Sequence, residues 1–127
     1  LETQFSRQEG EAPYRVSISA VPIGSDLVVM LCGGEKPHIG AVAVSIPRPS
    51  LKNPELTSAT TSVFTLVGHK EDELAKAMAQ KIASTLQKNV ILTAGIHIDD
   101  ISDEGIKVIE TNCRILLESL ISHYLNE

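Results

Sequence analysis

The chain has 127 residues and a formal net charge of −5, with 43% hydrophobic and 21% charged residues but only 3% aromatics and no Trp. One domain of this size buries roughly two-thirds of the surface its unfolded chain exposes, so a core of Val, Ile, Leu and Ala is available without metal or disulfide staples. The acidic balance disfavours polyanionic partners, which need a basic stripe to release counterions. The scarcity of aromatics disfavours a base-stacking nucleic-acid surface, and no apolar run reaches the ~20 residues of a membrane span. Cys32 and Cys113 lie in apolar runs and read as buried free thiols, not as a secreted disulfide framework. No signal-peptide pattern opens the chain, and a cytoplasmic location is expected.

Residues 1–12 are polar and irregular and predict a loose N-terminal segment. Tyr14 to Ala20 alternates apolar and polar residues, the period of a half-buried strand. After a turn at Pro22 to Asp26, Leu27 to Cys32 is continuously apolar and predicts a central strand buried on both faces; a short Gly-containing link makes the pair a hairpin. Gly33 to Gly40 is a glycine-rich loop. Ala41 to Ile46 is a third strand, ended by Pro47 and Pro49, and the stretch to Thr57 predicts an exposed excursion. Thr60 to Val67 is a fourth strand.

Gly68 to Glu73 opens a helix whose first-turn acids suit its positive end. Leu74, Ala75, Met78, Ala79, Ile82, Ala83 and Leu86 form its apolar stripe. Val90 to Ile98 is a fifth strand. Asp99 to Glu104 carries capping residues, and Ile106, Ile109, Cys113, Leu116, Leu117, Leu120 and Tyr124 line a long last helix. The order β-β-β-β-α-β-α predicts one α/β domain of the α+β type over residues 13–127. Its sheet is mixed, mainly antiparallel, of about five strands, with two helices on one face. The bare face, or the helix ends, is then left to contact another copy, and a homo-oligomer is expected.

Three of the four histidines share a setting. His38, His69 and His97 all sit at element ends beside glycine, where backbone can approach a ligand closely and where α/β proteins gather their sites. His123, on the last helix turn, reads as solvated. Convergence of the three would make either a metal site, with Asp99 or Asp100 nearby and positions open for water, or a polar rim for an electron-rich ligand; their spacing does not choose between them. Gly68, His69 and Lys70 at the helix start offer free N–H groups and a cation to a phosphate, against the repulsion of Glu71, Asp72 and Glu73. Gly34 and Lys36 are the weaker phosphate candidate. No Ser or Cys has a nucleophile's setting.

The blocks Gly33-Gly34-Glu35-Lys36-Pro37-His38-Ile39-Gly40, Gly68-His69-Lys70-Glu71-Asp72 and Thr93-Ala94-Gly95-Ile96-His97-Ile98 together resemble the D-subunit family of gallate, vanillate and related hydroxyarylic acid decarboxylases, also described as prenylated-flavin chaperones. The resemblance runs from about Leu27 to the final helix. It implies a non-catalytic accessory protein that binds prenylated flavin mononucleotide and delivers it to, or helps mature, a larger decarboxylase. His38, His69 and His97 match the family's histidines, with Gly34, Lys36, Lys70 and Gly95 beside them. The chain departs from the family's middle motif, where a Ser-His pair often precedes the His-Lys; Phe64 to Gly68 stands there instead. A small hydrolase or lyase with a divalent metal on the same three histidines is the rival reading, and a structural subunit without ligand is a third.

Overall fold

The computed structural model describes residues 5–66 and 71–127. Eight elements follow in order: β1 (Phe5–Glu9), β2 (Val16–Ile23), β3 (Asp26–Gly34), β4 (Ala41–Pro49), β5 (Thr57–Thr65), α1 (Glu71–Leu86), β6 (Val90–His97) and α2 (Asp103–Leu125). The strands make one six-stranded mixed sheet in the order β1-β2-β3-β6-β4-β5. Neighbours are antiparallel except β3 and β6, which run parallel with Leu27 opposite Val90 and Gly34 opposite His97. This is the expected α+β domain, with one more strand than the sequence suggested.

Both helices cover one face. α1 lies on β4, β5 and β6; α2 lies on β1 and β2 and against α1. Residues alternate in and out along each strand, and the inward set is Val16, Ile18 and Ala20 of β2, Leu27, Val29 and Leu31 of β3, Ala41 and Ala43 of β4, and Val90, Leu92 and Ala94 of β6, all at most 2% exposed. Helix α1 meets this face with Ala75, Met78, Ala79, Ile82 and Ala83, and α2 with Ile109, Cys113, Leu116 and Leu120. Small residues on both α1 and β4 allow a close helix–sheet approach. Ser45, the one polar inward residue of β4, is bonded to the Thr61 hydroxyl at 2.8 Å. Ser102 caps α2 by accepting from the Gly105 N–H at 3.0 Å. Asn112, buried in α2, donates to the Tyr14 carbonyl at 2.9 Å and ties the segment before β2 to the helix.

Three expectations change. Residues 5–9, expected to be loose, form the edge strand β1: Phe5 is buried and stacks near His123 and Tyr124 of α2, with ring centroids 5.1 and 6.5 Å away. Strand β4 continues through Pro47 to Pro49. Its pairing with β6 stops at Ser45, so both prolines fall where β4 is bonded on one side only, which is where a sheet tolerates them.

Strand β3 is buried on one face, not two. Val28 and Cys32 are half-buried and Met30 is 38% exposed, because no helix covers that side. Across this uncovered face run two rows: Ser19, Met30, Thr93, Val42 and Phe64, then Val21, Val28, Ile91, Val44 and Ser62. The Cys113 thiol, by contrast, is deeply buried, and desolvation, helped by Glu110, pushes its pKa up to about 12.

The strand assignment carries a stability test. Val29 is fully buried beneath the helices. Val29→Asp removes its apolar burial and leaves a carboxyl without a partner, and is expected to cost about 4 kcal/mol. A thermal or urea melt checks it; a midpoint unchanged from wild type would contradict the placement.

Candidate functional site

The parallel pair β3–β6 ends at one rim of the sheet, and the candidate residues gather there. Gly33 and Gly34 close β3, and the chain then folds back over the end of β6. The Glu35 and Lys36 N–H groups both donate to the His97 carbonyl, at 2.8 and 3.2 Å, and the Gly40 N–H donates to the Ala94 carbonyl at 2.8 Å. Two glycines make this strap possible. Gly34 has φ +76° and presses on the His97 carbonyl, and Gly95 lies directly under the His38 carbonyl, which occupies the space of any Cβ.

This strap brings His38 and His97 together, their rings 6.3 Å apart and edge to face. Each ring is held by one nitrogen. His38 Nδ1 lies 3.1 Å from the Lys36 carbonyl; a carbonyl only accepts, so Nδ1 carries the proton. Its Nε2 faces Glu71 Oε1 at 3.5 Å. His97 Nε2 donates to Asp99 Oδ1 at 2.8 Å, which leaves Nδ1 with its lone pair. Asp99 also meets Lys36 Nζ at 3.4 Å, and its N–H donates to Glu35 Oε1 at 2.9 Å. The hydrogen bond from His97, then that from Lys36, hold the Asp99 carboxyl below its ordinary 3.8.

Of the sequence candidates, His38, His97, Gly34, Lys36 and Gly95 share this rim. His69 and Lys70 lie outside the described residues, as does Gly68. Asp100, just past Asp99, has φ +51°. No group of three or more potential metal-ligating His, Cys, Asp or Glu side chains comes together among the described residues. His123 is at the far end of the molecule, against Phe5 and 3.8 Å from Glu127. A shallow hollow between β1 and α2, lined by Arg7, Glu118 and His123 among others, is likewise remote from the His38–His97 pair.

Glu71 was missed. It is 8% exposed, and its Oε2 is buried without a hydrogen-bond partner among the described residues. Gly40 makes room for it: a Cβ there would stand 3.1 Å from both the Glu71 carboxyl carbon and His38 Nε2. The sequence did hold a signal. Glu71, Ala75, Met78, Ala79 and Ile82 continue one stripe at helical spacing, so extending the apolar face of α1 one turn backwards lands on Glu71.

Two outcomes follow. Gly95→Ala places a methyl group against the His38 backbone, not against a flexible side chain, so the strap must lift; loss of imidazole-to-imidazole contacts in NMR spectra, with a lowered melting temperature, is expected. Retention of those contacts would contradict the packing. For Asp99 the sign is that of a depressed carboxyl: its stabilising pairing is complete above 3.8 and is lost as pH falls through the lowered value. A carboxyl-carbon NMR titration should give a midpoint below 3.8.

Comparison with known proteins shows the family and the fold. The model of the prenylated flavin chaperone LpdD-like domain matches residues 10–125. Protein LpdD of Lactiplantibacillus plantarum (strain ATCC BAA-793 / NCIMB 8826 / WCFS1) is 30% identical over 96 residues, covering 72% of this chain and 64% of that protein, so the chain spans under two-thirds of this relative's length. A chain from the crystal structure of a chaperone complex for yeast 20S proteasome assembly superposes with a TM-score of 0.54 at 14% identity, covering 94% of this chain and 97% of that one; at that identity the likeness is one of fold. The chain belongs to the LpdD-like prenylated flavin chaperone family.

Proposed function

We propose that the chain binds prenylated flavin mononucleotide as cargo and hands it, in the cytoplasm, to a hydroxyarylic acid decarboxylase, or helps mature that enzyme, without catalysing decarboxylation itself. The observation that carries this reading is the His38–His97 pair, locked by the glycine strap on the rim of the parallel strands, in a chain of this family.

The residues present fit such a group. A flavin offers both hydrogen-bond donors and acceptors at its polar edge. Glu71 Oε2 is a buried acceptor with no donor among the described residues, and a buried carboxylate oxygen is costly until one arrives. The lone pair of His97 Nδ1 is a second acceptor, and Lys36 brings a cation suited to a phosphate, at present shared with Asp99. Ile39 and Leu66, 54% and 56% exposed, flank the strap and give an aliphatic surface for a flat ring. The resemblance in sequence adds His69, as a further histidine of the family's motifs, and Lys70, as a further cation. The chemistry of the prenylated ring is used by the enzyme that receives it. What this chain does is grip, orient and let go. A rim site whose His97 side chain is 40% exposed suits release better than a closed cavity does. No helix among the described residues is long and apolar enough to cross a membrane, in keeping with such an exchange in solution.

The test is replacement of His38 and His97 together by Ala. Both lie outside the core, so the circular dichroism spectrum and melt should be unchanged. Native mass spectrometry of protein made alongside a flavin prenyltransferase, and titration with the reduced prenylated flavin, should show retention by wild type and at least about a tenfold loss in the variant, roughly 1.4 kcal/mol. Transfer to an apo-decarboxylase should fall in parallel. Equal binding by both proteins would overturn the site, and no binding by wild type would overturn the function.

A further inference from the structure

The uncovered sheet face carries a second inference, independent of the flavin. One face of a solvated antiparallel sheet normally reads polar, with charged side chains frequent. Here the two rows that cross the centre of the face contain no Asp, Glu, Lys or Arg, although the chain has 16 acidic residues and 11 Lys and Arg. Among the described strand residues, charges on this side stand at its end, where Arg48 pairs with Ser58 at the tip of β4 and Asp26 starts β3. The centre is instead apolar and open to solvent, with Met30, Val44, Ile46 and Ile91 each 38–53% exposed. Charge depletion at the core of a patch, with aliphatic groups and Met in place of Lys and Glu, is the composition of a buried interface.

We infer that this face packs against the same face of a second copy of the chain, making a two-layer sheet sandwich with the helices outside. Three features select a copy of itself. The first is arrangement. The apolar stripe lies on the middle strands β3, β6 and β4, and both flanks mix hydroxyl and apolar side chains: Ser17, Ser19 and Val21 on β2, Thr60, Ser62 and Phe64 on β5. A two-fold axis in the plane of contact therefore lays the apolar middle of one sheet on the apolar middle of the other, as an isologous contact requires.

The second is charge. A chain of net charge −5 repels its own copy, and a neutral face is where two copies can meet without that cost. The third is area. Six strands spaced ~4.8 Å apart and about eight residues long make a plane of roughly 600 Å², comparable with the ~800 Å² of accessible surface per partner in a stable complex. Two twisted sheets stack ~10 Å apart with interdigitating side chains.

The test is molar mass in solution. Wild type should sediment and scatter as a dimer, twice the 13.7 kDa of the chain, at micromolar concentration. Val44→Glu puts one charge in the centre of the face at a site 41% exposed in the single chain, so it should keep the fold but weaken dimerisation by roughly 100-fold or more. Ile46→Ser, at a position 53% exposed, is a milder second variant that should also shift the equilibrium towards monomer. Ile115→Glu on the outer side of α2, 36% exposed, should leave the dimer intact. A wild type that stays monomeric overturns the proposal and assigns the face to a different partner. A dimer that survives both Val44→Glu and Ile46→Ser, or is dissociated by Ile115→Glu alone, places the contact on another surface and also overturns it.

Discussion

The insertion of β6 between β3 and β4, parallel to β3, is the constraint on which the rest of the structure depends. β6 follows β3 by more than fifty residues, yet it occupies the centre of the sheet, bonded to β3 from Leu27 to Gly34 and to β4 from Ala41 to Ser45. Because the pair is parallel, both strands end at the same rim, so Gly33 and Gly34 arrive beside Ile96 and His97. The loop from Glu35 to Gly40 must then cross the end of β6 to start β4 on its other side. The crossing is short and leaves no room for a side chain beneath it, which is why Gly95 stands under His38. Antiparallel insertion would have put His97 at the opposite rim from the glycine loop, and the two histidines could not have met.

The electrostatics of the site follow from that crossing. Backbone carbonyls, more than side chains, fix the geometry: the Lys36 carbonyl sets the His38 tautomer, and the His97 carbonyl receives two N–H groups from the strap. Side chains then arrange charge around two rings already in position. Asp99 orients His97 and balances Lys36, while Glu71 approaches His38 from α1. His97 is thus held by Nε2 and leaves Nδ1 open, whereas His38 is held at Nδ1 and faces Glu71 with Nε2.

What the sequence disclosed, and what it withheld, divides along the range of the interactions involved. Leu27 to Cys32 and Val90 to Ile96 were legible as strands of one sheet because local composition decides them, and both helices because their stripes are continuous. Phe5 to Glu9 was not, since one buried Phe in five residues gives no period and the strand exists by pairing with β2. Pro47 and Pro49 misled because proline excludes a strand bonded on both sides, and the sequence does not say where β6 stops. His38 and His97 were legible by their glycine setting, but their meeting depends on strand order, which is non-local. Glu71 was hidden by its company: beside Asp72 and Glu73 it reads as one more acid suited to a helix start, whereas only Glu71 falls on the buried stripe.

The same strand order separates the charges of the molecule. Helix α2 carries Asp103, Glu104, Lys107, Glu110, Arg114 and Glu118, and α1 carries Asp72, Glu73, Lys76 and Lys81, so the helical side meets water as a solvated acidic surface. The sheet is covered by helices on one side alone, and Val28, Met30, Val42, Val44 and Ile91 leave the middle of its other side without charge. The apolar run of β3 that pointed to burial on both faces overstated its cover: one face is covered by the chain's own helices, and the other is half-buried to exposed and uncharged. His97 follows Ile91, Thr93 and Gly95 on that same side of β6. The histidine rim thus borders the uncharged face.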